Sequence, residues 1–190
     1  MQSSVKYPSA LKQSIVVIAD DLTGATEIGG IGLRYNLTVD VVNLPFSIHS
    51  EADLIVINAD TRSKTVDEAR MVISQICKEI KEWPTAFIFK KIDSVLRGHV
   101  IAEIAVQAQV FGKQRALIVP TNPQLGRAIK DGIYYINNVP IHETGFARDP
   151  EFPAKFSEVK LLLNDDEQVR ICSLEGPLPE TGCIVGEVAC

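Results

Sequence analysis

No stretch of this 190-residue chain stays apolar for the roughly 18 residues that a bilayer-spanning helix needs. The opening Met1-Gln2-Ser3-Ser4-Val5-Lys6-Tyr7 has no apolar core either, which excludes a signal peptide there. Cysteine is sparse: Cys77, Cys172, Cys183 and Cys190 show no CxxC spacing, so free thiols in a reducing cytoplasm are expected. The histidines His49, His99 and His142 lack paired metal spacing. Positive charge is not in excess. The net charge of −5 argues against nucleic acid as the main partner, although a locally basic site for an anionic small molecule remains compatible with it. Neither GxxxxGK[ST] nor GxGxxG occurs, so no nucleotide-phosphate loop can be read from the sequence.

What is present is a globular composition, 46% hydrophobic and 23% charged, with length for one large domain or two small ones. Strand-like and helix-like segments alternate over the first two thirds. Strands are expected at 15–19, 38–43, 53–58, 85–90 and 115–119, and helices at 24–35, 66–83 (ended by Pro84) and 98–111. Continuous apolar strands separated by amphipathic helices predict an α/β fold, a Rossmann-like and mostly parallel sheet with helices on both faces. Beyond residue 130 the pattern changes. A β-hairpin is expected over 132–142, turning at Asn137-Asn138, then a short helix at 157–163 and final strands at 168–173 and 182–187. Residues 1–13 read as an extension and 14–190 as the domain.

In parallel sheets ligands bind beyond the carboxyl ends of the strands. Here the polar loops follow the strands. Asp20-Asp21-Leu22-Thr23-Gly24 follows the first, and Asp60-Thr61-Arg62-Ser63-Lys64 the third. Lys90-Lys91-Ile92-Asp93-Ser94-Val95-Leu96-Arg97-Gly98 follows the fourth, and Pro120-Thr121-Asn122-Pro123 the fifth. Asp21 or Thr23 could simply cap a helix, worth about 1 kcal/mol. A cap needs one such side chain and the loop supplies three, leaving an aspartate to accept a hydroxyl proton. A solvated charged turn is the alternative for the Lys90–Gly98 loop. Its Lys91, Asp93, Ser94 and Arg97 otherwise suit a small anion, which a guanidinium can hold by two parallel hydrogen bonds. Arg62 is read equally well as a surface or a site residue. His142 reads as a structural hydrogen-bonder, and His49 and His99 as surface or packing residues.

The run IADDLTGATEIGGIGLRY, then DTRS, then KKIDSVLRGHVIAE, then ALIVPTNPQLGRAIKDGIYYINNVPIHETGFARDP resembles the four-carbon acid sugar kinase family, in particular its N-terminal sugar-binding domain. The resemblance covers residues 14 to 153, with the motifs in order, and GCIVGEV is consistent with the domain's last strand. It implies phosphorylation of acids such as erythronate and threonate by ATP with a divalent cation, Mg²⁺ by analogy with the family. The acid sugar would lie on this domain and the nucleotide on a separate C-terminal domain. The matching positions are Asp20, Asp21, Thr23 and Gly24, then Lys91, Asp93, Ser94, Arg97 and Gly98, with Asn122 and Gly126-Arg127 less distinctive. Glu27 and Val95 stand where aspartate and threonine are common in the family.

On this reading Arg97 and Lys91 clamp the sugar carboxylate, Asp93 and Ser94 bind hydroxyls, and Asp20 or Asp21 is the base for in-line transfer of a phosphoryl group. Nothing in the chain matches the nucleotide domain. A fragment, an expressed domain or a split subunit is therefore expected, inactive as a kinase alone and completed by a nucleotide-binding domain in cis or trans. Homo-oligomerisation stays open. The competing readings are a non-catalytic sugar-acid module, a truncated remnant and a phosphatase-like hydrolase. The last needs two aspartates separated by one residue, and here they are adjacent.

Overall fold

The computed structural model describes residues 13–45, 50–83, 85–173 and 177–188. His49 and the Pro84 helix stop lie outside the described residues. Four parallel strands form the first sheet: β1 (Ser14–Ala19), β2 (Val39–Asn43), β3 (Leu54–Asn58) and β4 (Thr85–Lys91), in the order β2-β3-β1-β4. Their β-branched runs favour extended chain. All of Leu54–Asn58 is buried, as expected of a strand covered on both faces.

Alternation along β1 divides the core. Val17 and Ala19 pack with Ala25 of helix α1 (Leu22–Arg34), while Val16 and Ile18 pack with Ile73, Ile76 and Ile80 of α2 (Val66–Lys81). Each of these valines and isoleucines contributes about 1.5–3 kcal/mol on full burial. Thr65 opens α2 with a reciprocal bond to Glu68, and Asp67 and Glu68 in its first turn suit the helix dipole. Helix α3 (Val100–Phe111) lies between the α2 cluster and a further one. Its Val106 and Val110 join the α2 cluster, and its Val100, Ile101 and Ile104 join a second cluster with Ile118 and Val185.

That second cluster belongs to a separate parallel sheet. β5 (Arg115–Ile118) pairs with β10 (Gly182–Gly186), which pairs with β9 (Val169–Cys172). Sequence alternation predicts parallel strands and their covering helices correctly, but it carries no information on which strands pair. The fifth strand accordingly leaves the first sheet. A third, antiparallel sheet joins β6 (Arg127–Lys130), β7 (Ile133–Ile136) and β8 (Val139–Pro140), with the hairpin turn at Asn137 and Asn138, both at positive φ. The short helix in the 157–163 segment is α4 (Val159–Leu162).

Among the described residues, one face is left open. Phe87 and Phe89 pair in register with Ile15 and Val17, so they lie on the α1 side of the sheet, yet they are 60% and 41% exposed. Leu117 on β5 and Val119 just after it are exposed on the side away from Ile118 and α3.

Candidate active site

The two adjacent aspartates after β1 divide their work because neighbouring residues of an extended chain point to opposite faces. Asp21 turns toward α1 and is its N-cap, accepting from the Gly24 amide at 2.8 Å. The helix therefore starts at Leu22, two residues earlier than the apolar spacing predicts. Asp20 continues the Val16–Ile18 face and is buried at 5% exposure. Its carbonyl accepts from the amides of Thr61 (2.9 Å) and Arg62 (3.2 Å), which fastens the loop after β3 to the loop after β1.

Arg62 joins the loops. Its Nε donates to Asp20 Oδ2 and its Nη1 to Asp21 Oδ2, both at 2.7 Å, and its Nη2 lies 3.7 Å from Asp93 Oδ1. One guanidinium thus offsets the mutual repulsion of carboxylates from two loops. Gly98, at φ +83°, lets the loop after β4 approach: a Cβ there would lie 3.3 Å from Arg62 Cγ. Gly24 provides similar room, since its Cβ would meet Asp21 Oδ1 at 2.9 Å and Lys91 Cγ at 3.3 Å.

Asp93 is the organiser of its own loop. Oδ2 accepts from the amides of Val95 (3.0 Å) and Arg97 (3.1 Å) and from Arg97 Nε (3.0 Å), and Oδ1 accepts from Arg97 Nη2 (2.9 Å). Arg97 Nη1 reaches on to Asp149 Oδ2 at 2.9 Å, and its guanidinium lies 5.8 Å from the Phe146 ring centre. Both side chains are therefore largely spent on building the loop and tying it to the 145–153 segment. Lys91 is freer: its Nζ donates to the Ile92 carbonyl at 3.1 Å and pairs with exposed Glu27 at 3.2 Å.

Burial raises the Asp20 carboxyl above its ordinary value, outweighing the Arg62 hydrogen bond and the Lys90 charge that favour the anion. Burial alone would raise Asp93 too, but the hydrogen bonds and charge of Arg97 hold it below the ordinary carboxylate value. For Arg62, burial opposes the charged form, and the Asp20 hydrogen bond with the surrounding aspartate charges more than reverses it.

The structure thus brings Asp20, Asp21, Gly24, Arg62, Lys91, Asp93, Arg97 and Gly98 together at one edge. Thr23 is exposed in the first turn of α1, and half-buried Ser94 contributes its carbonyl to the Tyr134 hydroxyl at 2.6 Å. The backbone of Asn122 closes a turn with Arg127, and no hydrogen bond among the described residues links it to the aspartates. His99 Nε2 meets the Lys64 carbonyl at 2.6 Å, and His142 Nδ1 meets Ser157 Oγ at 2.6 Å, both packing contacts. Sequence reading missed Asp149 and the buried pair Lys90–Glu103. Glu103 did leave a signal, as a charge set among Val100, Ile101 and Ile104 on an apolar stripe.

A model of the sugar-binding N-terminal domain matches residues 15–182. The chain belongs to that family. It is 31% identical over 153 residues to a D-threonate kinase of Salmonella typhimurium, matching 76% of this chain and 35% of the kinase. To a D-erythronate kinase of Heliobacterium modesticaldum it is 30% identical over 145 residues, 74% of this chain and 33% of that one. The chain therefore spans about a third of the length of these relatives. The fold recurs in a Bordetella bronchiseptica domain of unknown function, solved with bound citrate as a domain-swapped dimer. There the TM-score is 0.78 at 21% identity, over 92% of this chain and 47% of that one. A Haemophilus influenzae protein gives a TM-score of 0.75 at 22% identity, over 91% and 48%. No helix among the described residues is long and apolar enough to cross a membrane.

Proposed function

We propose that this sugar-binding domain holds a four-carbon sugar acid of the threonate or erythronate type for phosphorylation by ATP. The observation that carries the reading is the Arg62 junction, where one guanidinium gathers carboxylates from two loops at the edge where parallel sheets bind ligands. The threonate and erythronate kinases among its relatives supply the substrate class.

Lys91 receives the sugar carboxylate, and Arg62 holds the aspartates that surround it. Arg97, engaged by Asp93 and Asp149, acts by fixing the loop. Asp21, more accessible than Asp20, takes the hydroxyl proton, and Asp20 keeps Arg62 in place. Thr23 and Ser94 offer hydroxyls to the sugar. Phosphoryl transfer relies mainly on positioning and charge stabilisation, which suits so charged a rim.

ATP and its divalent cation come on a nucleotide-binding domain, in cis or in trans. Among the described residues no three His, Cys, Asp or Glu side chains are grouped to hold a metal ion. The open face of Phe87, Phe89, Leu117 and Val119 supports docking of that domain. Lys91 rises from the same side of β4 as Phe89, so a domain seated there borders the site. Self-association is the competing use of that face, and light scattering distinguishes the two.

Calorimetry with D-threonate and D-erythronate, with and without ATP, tests the reading. Binding of a sugar acid in the absence of ATP supports it. Binding of ATP alone, or of neither sugar acid, contradicts it.

A further inference from the structure

Beneath Asp20 lies a buried charge pair that the proposed chemistry does not use. Lys90 of β4 pairs in register with Ile18 of β1, so its side chain leaves the sheet on the face that Ile18 and Asp20 share. There it meets Glu103 of α3, with Nζ 2.5 Å from Oε2 and the side chains 9% and 1% exposed. The contact is an ion pair without hydrogen-bond geometry, and Gln107, one turn further along α3, has an unpartnered amide nitrogen as well. Asp20 gives Oδ2 to Arg62, while its Oδ1 reaches neither solvent nor a hydrogen-bond partner.

A buried Lys–Glu pair is weak evidence of added stability, because well-packed apolar residues often serve as well or better. Its use is better sought in what the charge does to its neighbours. We infer that Lys90 and Glu103 are positioning residues of this site: Glu103 pins the Lys90 ammonium below Asp20, and the ammonium keeps Asp20 an anion facing Arg62. The coupling runs from α3 through β4 to the end of β1 and on to the loop after β3. Its functional meaning rests on the sugar-acid reading given above.

The charges acting on Asp20 come from each element around it. Arg62 stands on the loop after β3, Asp21 on its own loop and Lys90 on β4. Behind Lys90 are Glu103 of α3 and Cys77 of α2, whose thiol burial pushes up to about 12 and so keeps neutral. Asp93 acts through Arg62, and Lys91 projects from the opposite face, toward Glu27 of α1.

The double variant Lys90→Met/Glu103→Met removes both charges at similar volume. Carbon-13 NMR of labelled aspartate carboxyls, titrated between about pH 3 and 9, reads Asp20 directly in the ligand-free chain. Asp20 is expected to titrate about one pH unit or more higher than in the wild type, with Asp93 unchanged. The acid limb of D-threonate or D-erythronate affinity, measured by calorimetry, moves up with it. Lys90→Arg, which keeps the charge, restores the wild-type titration. An Asp20 titration that does not move overturns the inference, as does a shifted titration with an unmoved affinity limb. If the double variant does not fold, Lys90→Gln/Glu103→Gln makes the same comparison with neutral polar groups. A wild-type chain that binds neither sugar acid defeats the functional reading, while the ligand-free titration still decides whether Lys90 governs Asp20.

Discussion

Replacing Asp93 with alanine separates a loop-building role from a substrate-binding one. The carboxylate accepts four hydrogen bonds at 2.9–3.1 Å, two from backbone amides and two from Arg97. Val95 is only 4% exposed, so water is poorly placed to replace the acceptor for its amide. Two stranded amides cost about 2 kcal/mol together, at the low end for buried unsatisfied groups. The lost bidentate contact adds about 1 kcal/mol, discounted because the Arg97 side chain is 27% exposed and keeps Asp149. The sum, about 3 kcal/mol, lowers the melting midpoint by roughly 6–12 °C in a chain of this length. Circular dichroism melting of Asp93→Ala against wild type measures it. Asp21→Ala, which removes a half-buried cap, is expected to cost only about 1 kcal/mol. If Asp93→Ala melts within about 2 °C of wild type yet loses sugar-acid binding, the loop-building argument is wrong and Asp93 is a ligand contact.

Three further outcomes follow from the same geometry. Arg62→Ala is expected to weaken sugar-acid binding about tenfold or more in calorimetry, equivalent to about 1.4 kcal/mol, and unchanged affinity would refute its central place. Acid stability has two opposed contributions. Asp93, depressed in the fold, stabilises above its unfolded value near 3.9 and loses that effect as pH falls through its lower folded value. Asp20, raised in the fold, contributes stability at low pH and loses it as pH rises from near 3.9 through its folded value. Asp20→Asn should therefore remove the decline above pH 4 from a plot of melting midpoint against pH while leaving the acid loss, and an unaltered profile would count against this assignment. Gly24→Ala places a methyl 2.9 Å from Asp21 Oδ1. Sugar-acid affinity should fall while the melting midpoint changes by less than the equivalent of about 1 kcal/mol, because alanine suits the helix; affinity equal to wild type would contradict the crowding argument.

Much of this site is legible in the sequence because each loop directly follows an apolar strand. Asp20, Asp21, Arg62, Lys91, Asp93 and Arg97 all announce themselves that way. Their division of labour is not legible. That Asp93 and Arg97 mostly bind each other depends on side-chain direction within a tight turn. Lys90 and Glu103 are 13 positions apart on a strand and a helix, and only the β1–β4 register and the packing of α3 bring them together. The split into two parallel sheets was hidden for a related reason, since β5 finds β10 across more than 60 residues. The backbone of Asn122 closes its own turn with Arg127, which its place after a strand does not reveal.

Backbone amide NMR of the labelled chain, titrated with D-threonate and D-erythronate, tests the central claim most directly. Shifts concentrated at residues 20–24, 60–64 and 91–98 are the expected result. Shifts concentrated instead at the cavity of about 440 Å³ lined by Ile136, Thr144, Gly145, Phe146 and Asp149 would place the ligand elsewhere and contradict the account.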